Sequence, residues 1–204
     1  SAPTASGKTE AAFIPALNSV EDWETGLKEL YTSPWKALIN DQFQRISELS
    51  AYLDIPITPW HGEVSQAQKK KVVNQPKGIL LITPESIEGM LVNRPGKAQH
   101  LFKGVEWIII DELHSFLGTE RGVHLQSLLQ RISQFMQAPR FIAMSATLNK
   151  KDFGYAKAFF GSQRDTDILV DRDKNDLLVT IDYTSGEAGP FVARESLAAI
   201  YQYS

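Results

Sequence analysis

The sequence predicts an α/β layered fold around a mostly parallel sheet, and three observations carry that prediction. Strand-like and helix-like patterns alternate along the chain. Two apolar runs, Gly78 to Thr83 and Val105 to Asp111, are continuous rather than alternating, as in parallel strands covered on both faces. A third stretch, Ala2-x-x-x-x-Gly7-Lys8-Thr9, has the spacing of a phosphate-binding loop, with alanine where glycine usually opens it, directly ahead of a helix-like segment. The 204 residues, 43% of them hydrophobic, suffice for one sizeable core and at most one domain with an appendage.

Each element follows from local pattern. Lys8 to about Leu17 reads as a helix, with Ala11, Ala12, Phe13 and Leu17 offered to a core. Pro15 lies inside it and removes the N–H that would reach the Ala11 carbonyl, which predicts a kink or an early stop. Leu27 to Thr32 is a short strand closed by Ser33-Pro34. Ile39, Phe43, Ile46, Leu49 and Leu53 recur at spacings of three and four, an amphipathic helix. Ile57 to Trp60 is the next strand and ends in a His61-Gly62 turn. Ser65 to Asn74 is a polar helix whose Lys69-Lys70-Lys71 run reads as a solvated face rather than a nucleic-acid patch.

After the apolar strand ending at Thr83, Pro84 suits the first turn of a helix running to about Asn93. Arg94 to Gly104 reads as loop, and Val105 to Asp111 as the second buried strand. Gly122 to Gln137 is a helix with Leu125, Leu128, Leu129, Ile132 and Phe135 on one face. Phe141 to Ser145 is a strand, Lys151 to Phe160 a helix, and Ile168 to Val170 and Leu177 to Asp182 are short strands. Thr184 to Pro190, with Gly186 and Gly189, reads as a linker before a helix from about Val192 to Tyr203. There is no internal repeat or low-complexity segment. A phosphate-binding loop normally hangs from the end of a buried strand. The chain begins inside its loop, so a segment of a longer protein is expected.

Composition narrows the classes. The net charge of −3 gives no bulk attraction to nucleic acid, so any such binding must come from a local surface. With no cysteine there are no disulfides, zinc–thiolate sites or iron–sulfur clusters, which fits a reducing compartment. The apolar runs are too short to span a bilayer, and no signal peptide opens the chain. A soluble, cytoplasmic protein is the expectation.

The chemistry-bearing residues fall at strand ends. Backbone N–H groups from about Ala5 to Thr9 would form an anion-binding nest at a helix start, whose dipole adds to it. Gly7 admits close approach of phosphate, Lys8 supplies a point charge at the β- and γ-phosphates, and the Thr9 hydroxyl is a hard ligand for Mg²⁺. Nucleotide contact is assigned to Ala2, Thr4, Ala5, Ser6, Gly7, Lys8, Thr9 and Glu10. Ile108-Ile109-Ile110-Asp111-Glu112-Leu113-His114 is an apolar strand ending in two acids. Beyond the carboxyl ends of the strands these acids can meet Lys8 and Thr9. Asp111 then suits a Mg²⁺ bridging the phosphates, and Glu112 an attacking water. Ser145-Ala146-Thr147 ends another strand at the same edge.

In this order, Ala-Pro-Thr-Ala-Ser-Gly-Lys-Thr, Asp-Glu-Leu-His and Ser-Ala-Thr resemble motifs I, II and III of a superfamily 2 DExH/DEAD-box helicase. Ser33 to Gln42 resembles motif Ia and Thr83-Pro84-Glu85-Ser86 motif Ib. Gly118-Thr119-Glu120-Arg121-Gly122-Val123-His124-Leu125 resembles the segment after motif II in large helicase-related (Lhr-like) proteins and, less closely, in Ski2-like ones. The resemblance spans Ser1 to about Leu148. It implies a RecA-like P-loop NTPase domain, three layers in α/β/α order, within an ATP-driven motor tracking along single-stranded nucleic acid, with ATP and Mg²⁺ as cofactors.

By this resemblance Lys8 and Thr9 belong at the triphosphate and metal, Asp111 at Mg²⁺, and Glu112 is the catalytic base. His114, Ser145 and Thr147 would couple hydrolysis to domain movement. Ser33, Lys36, Gly62, Thr83, Glu85 and Arg121 would line or support the strand's track. Nothing matches motifs IV to VI, which belong to a second RecA-like domain that supplies arginine fingers. Residues 1–183 are therefore expected to be the first RecA-like domain, lacking its first strand, and 184–204 a linker and helix leading to the second. DNA is favoured over RNA on the Arg121 segment. The alternatives are a Ski2-like RNA helicase and a nucleotide-binding scaffold without motor activity, against which the intact Asp111-Glu112 pair argues.

Overall fold

The computed structural model describes residues 7–50, 53–148, 150–161, 165–170 and 178–183. In chain order the elements are α1 (Lys8–Ser19), β1 (Gly26–Thr32), α2 (Lys36–Ser50), β2 (Ile57–Trp60), α3 (Gln66–Asn74), β3 (Lys77–Ile82), α4 (Pro84–Asn93) and α5 (Pro95–Phe102). They continue with β4 (Trp107–Ile110), α6 (Glu120–Ser133), β5 (Arg140–Ser145), α7 (Phe153–Phe159), β6 (Asp165–Val170) and β7 (Leu178–Tyr183). One seven-stranded sheet runs in the order β2-β3-β1-β4-β5-β7-β6. The first five strands pair in parallel, whereas β7 joins β5, and β6 joins β7, antiparallel. The mostly parallel sheet expected from the apolar runs is thus present, with an antiparallel edge.

Alternation along the central strands divides the core into two layers. In β4, Ile108 and Ile110 face a cluster with Leu80, Ile82, Ile87, Leu101, Phe102, Leu125 and Leu128, beneath α4, α5 and α6. Trp107 and Ile109 face the opposite cluster, with Ala12, Phe13, Tyr31, Ile39, Ile46 and Leu81, beneath α1 and α2. Helices on both faces give the α/β/α sandwich. Each large aliphatic side chain buried in this way contributes about 1.5–3 kcal/mol, which is why the buried stretches of β3 and β4 carry no polar residue on either face.

Three expectations give way. Arg94 to Gly104 is not loop. Pro95 opens α5, and Ala98, Leu101 and Phe102, at helical spacing, are buried against the sheet. The Arg-Pro-Gly punctuation masks that short apolar stripe, although Pro with its fixed φ belongs at a helix start. Pro15 does not end α1, which runs on to Ser19 with Pro15 itself buried. Packing of Ala11, Ala12, Phe13 and Ala16 outweighs one missing hydrogen bond. Leu53 lies outside α2 and is 56% exposed, whereas Ile39 and Ile46 are fully buried. The expected linker and helix beyond Tyr183 lie outside the described residues.

From β1 the chain passes out to β2, returns to β3, then crosses to β4. The winding therefore reverses between β1 and β4, a switch point where open α/β sheets leave a crevice beyond their carboxyl ends. No helix among the described residues is long and apolar enough to cross a membrane.

Candidate functional site

Thr32 ends β1, Ile110 leads into Asp111-Glu112, Ser145 ends β5, and Ile82 leads into Thr83, all at one edge of the parallel sheet. The amide of Asp111 donates to the Thr32 carbonyl at 2.9 Å, tying the two strands together at the switch point. Gly7 stands at the head of α1 in the left-handed region, φ 60°, which costs glycine nothing because it has no Cβ. Its carbonyl accepts from Ala11 N at 2.8 Å, so the helix begins at once behind it. Ala2, Thr4, Ala5 and Ser6 lie outside the described residues. Glu10 accepts from Arg45 at 3.3 Å.

Asp111 is 7% exposed. The Tyr31 hydroxyl donates to its Oδ2 at 2.5 Å, and the Glu112 amide donates to Oδ1 at 2.8 Å. Burial pushes the Asp111 carboxyl above its ordinary value, while the Tyr31 and Glu112 hydrogen bonds and the charges of Lys8 and His114 pull it back. Glu112 is also raised, first by burial and then by the neighbouring Asp111 charge, and lowered by His114 and Lys8. Lys8 therefore acts on both acids from its place at the head of α1. Glu112 holds a left-handed backbone, φ 51°, uncommon for a residue with a Cβ and characteristic of strained sites.

His114, in the 3₁₀ turn Leu113–Ser115, places Nδ1 3.1 Å from Ser145 Oγ in hydrogen-bonding alignment. The same nitrogen lies 3.0 Å from Glu112 Oε2, but without that alignment. Ser145 is buried, and Thr147 is exposed on the following loop. Thr9, also buried, donates its hydroxyl proton to Gln42 Oε1 at 2.9 Å.

The residues nominated for the strand's track separate. Arg121, at the start of α6, donates to the Pro34 carbonyl at 2.8 Å and to Glu85 at 2.5 Å, with its guanidinium 5.9 Å from the Phe116 ring centre. Arg121 and Glu85 are thus brought together beside Pro34. Lys36 is exposed and paired with Glu63, and Gly62 is exposed. Ser33 is fully buried, so its side chain lines no surface groove in this structure. Thr83 is also buried and caps α4, its Oγ1 2.9 Å from Ser86 Oγ.

Two residues escape the sequence reading. Tyr31 is the penultimate residue of β1 and fully buried, where a phenol needs a partner for its hydroxyl. That requirement is the available signal, but it does not say which partner. Gln42 is a polar residue at a buried helical position, three residues after Ile39.

The seven-stranded α/β/α sheet with its switch point between β1 and β4 is that of the RecA-like class. Family membership follows from comparison: residues 1–153 match the DEAD/DEAH box helicase family, to which the chain belongs. It is similar to the ATP-dependent helicase Lhr-Core of Sulfolobus acidocaldarius, 33% identical over 83% of this chain and 21% of the relative. It is likewise similar to the Lhr helicase/uracil glycosylase of Escherichia coli, 33% identical over 82% of this chain and 12% of the relative. The chain thus spans about a fifth or less of the curated relatives it matches. Among solved structures it resembles the Mycobacterium smegmatis helicase Lhr bound to ssDNA and AMP-PNP, with TM-score 0.63 and 30% identity, covering 76% of this chain and 21% of that one. It also resembles the DUF1998 helicase MrfA bound to DNA, with TM-score 0.68 and 30% identity, over 78% and 23%.

Proposed function

We propose that this chain is the ATP-binding motor domain of a DNA helicase or translocase. Residues 1–183 form the first RecA-like unit, and 184–204 lead toward a second one in a longer chain. The observation that carries the reading is the buried Asp111, held by the Tyr31 hydroxyl and the Glu112 amide at the switch point of the sheet, with Gly7 and Lys8 opening α1. DNA is favoured because the solved relatives at 30% identity are described with ssDNA or DNA. The ssRNA-bound Mss116, at 18% identity, supports the fold alone.

The oxygens present fit Mg²⁺. Thr9 gives its proton to Gln42, which leaves its oxygen lone pairs for a hard cation. Each Asp111 oxygen accepts one hydrogen bond and keeps further lone-pair capacity. Among the described residues no cluster of three or more His, Cys, Asp or Glu forms a cage. The donor set suits an ion whose shell is completed by phosphate and water. Bound Mg²⁺–ATP supplies the transferable phosphoryl group.

The chain's own side chains do the remaining work. Lys8 offsets phosphate charge, and Tyr31 and the Glu112 amide fix the orientation of the Asp111 carboxylate. Glu112 accepts a proton from water, for which a carboxyl raised by burial is better suited than a solvated one. His114 stands beside that acid and is hydrogen-bonded to Ser145 at the end of β5. In the full-length protein, Glu112→Gln is expected to retain ATP binding and lose strand-stimulated hydrolysis by about 10²–10⁴-fold. Near-normal turnover by that variant removes Glu112 from the role. The 204-residue chain alone is expected to hydrolyse ATP slower than the full protein by about 10³–10⁵-fold, the worth of an arginine supplied from outside.

A further inference from the structure

The Lys69-Lys70-Lys71 run does not behave as one solvated face. Lys70 and Lys71 are exposed, but Lys69 turns inward, its Nζ 5.9 Å from the centre of the Trp60 ring. Trp60 ends β2, and Lys69 shares a face of α3 with the buried Val73. Across from them, Arg94 and Lys97 project from the junction of α4 and α5. These walls enclose an open groove of about 510 Å³, within the roughly 300–1,000 Å³ of small-ligand pockets. Gly89 lies along it on α4, where an added Cβ meets nothing within 4 Å, so the groove is open there to an incoming group.

All the charge lining this groove is positive. No acid lines it. Lys36, Lys77, Arg121 and Arg131 are each paired with a glutamate, whereas Lys69, Arg94 and Lys97 have no ion-pair partner among the described residues. One cation over an aromatic ring, with two more lining the same groove and no acid among them, is an arrangement suited to stacking a base and holding its phosphates. It stands on a chain whose net charge of −3 offers no bulk attraction. The groove also reaches the functional edge of the sheet, because Gly62 and Ser86 line it and Ser86 is bonded to Thr83.

We infer that this groove is a second strand-binding subsite: Lys69, Arg94 and Lys97 hold phosphodiesters, and Trp60 receives a base of single-stranded nucleic acid leaving the track. The inference rests on the strand-tracking reading above but uses none of the nucleotide-site residues. It is tested in the full-length protein by fluorescence anisotropy with a labelled oligothymidylate over a range of salt, together with strand-stimulated ATPase. The combined variant Lys69→Ala, Arg94→Ala, Lys97→Ala is expected to bind the oligonucleotide about tenfold more weakly. Its slope of log affinity against log salt should be shallower by about 0.7 for each phosphate that the variant leaves unneutralised. The turnover reached at saturating strand and the KM for ATP stay unchanged. Gly89→Gln, which fills the groove without removing charge, weakens binding with less change in slope, and Lys70→Ala with Lys71→Ala changes affinity less than twofold.

Wild-type protein that binds no oligonucleotide overturns the motor reading and this subsite with it. Normal wild-type binding with an unaltered affinity and salt slope in the triple variant overturns the subsite alone. If the wild type binds polyglutamate, a triple variant that loses that binding yet binds the oligonucleotide normally also overturns it, in favour of an acidic protein partner.

Discussion

Replacing Tyr31 by Phe isolates one hydrogen bond at the centre of the site. The ring stays stacked on Phe13, with centroids 5.8 Å apart, and only the hydroxyl that donates to Asp111 Oδ2 is removed. A hydrogen bond to a charged group is worth about 1.5–3 kcal/mol. For a chain of this size each kcal/mol moves Tm by about 2–4 °C, so a fall of roughly 3–12 °C is expected at pH 8. The pH dependence has a definite sign. The folded Asp111 pKa lies above its unfolded value, so its stability contribution is complete below the unfolded pKa and is lost as pH rises through the folded one. Removing the hydroxyl removes an influence that lowers this pKa, so the variant loses more over the same rise. Thermal melts followed by circular dichroism from pH 5 to 8 should show the wild-type advantage growing with pH. The acid limb of ATP–Mg²⁺ affinity should move to higher pH in the variant. A Tm within about 1 °C of wild type at pH 8, or a gap independent of pH, refutes the assignment of Tyr31 as the group that steadies Asp111.

Glu29 sits in β1 at the sheet centre, fully buried, with neither carboxylate oxygen hydrogen-bonded among the described residues, and desolvation raises its pKa well above the ordinary value. Its stability contribution is likewise complete below the unfolded pKa and falls as pH rises, by up to about 1.4 kcal/mol per pH unit until the folded pKa is reached. Glu29→Leu should therefore stabilise the chain by about 1–3 kcal/mol in mild acid, with the gain widening toward pH 8. Chemical denaturation at several pH values checks this, and a destabilised variant would mean the carboxyl has a partner. At Gly122 an added Cβ would lie 1.9 Å from the Phe116 carbonyl oxygen, so Gly122→Ala must displace α6 from the turn after His114. A loss of about 1–3 kcal/mol and a fall in strand-stimulated turnover are expected, and unchanged melting and kinetics would show the contact to be pliable.

The order of elements is legible because burial on both faces writes β3 and β4 as uninterrupted apolar runs, and because α2 and α6 carry their core residues at helical spacing. α5 is not, since its three buried residues are too few to stand out beside an Arg-Pro-Gly turn signal. The strand-end positions of Asp111 and Ser145 and the helix start at Lys8 are readable from pattern, as an apolar run ending in polar residues marks a strand's carboxyl end. Tyr31, Gln42 and the Arg121–Glu85–Pro34 contact are not, because each depends on register and crossing between segments distant in sequence. The lysine run defeats a reading by composition for the same reason: which of three adjacent lysines turns inward is decided by where Trp60 stands across the gap.

The imidazole between Ser145 and Glu112 has a further consequence. An sp² ring nitrogen has a single in-plane lobe, yet His114 Nδ1 lies within 3.1 Å of one oxygen and 3.0 Å of the other. It can satisfy one of them well only by deserting the other. A rotation of the ring by a fraction of its width would transfer its allegiance from the end of β5 to the acid. The fold has therefore placed an either–or choice between the part of the protein that would cut a phosphate bond and the strand that leads away from it.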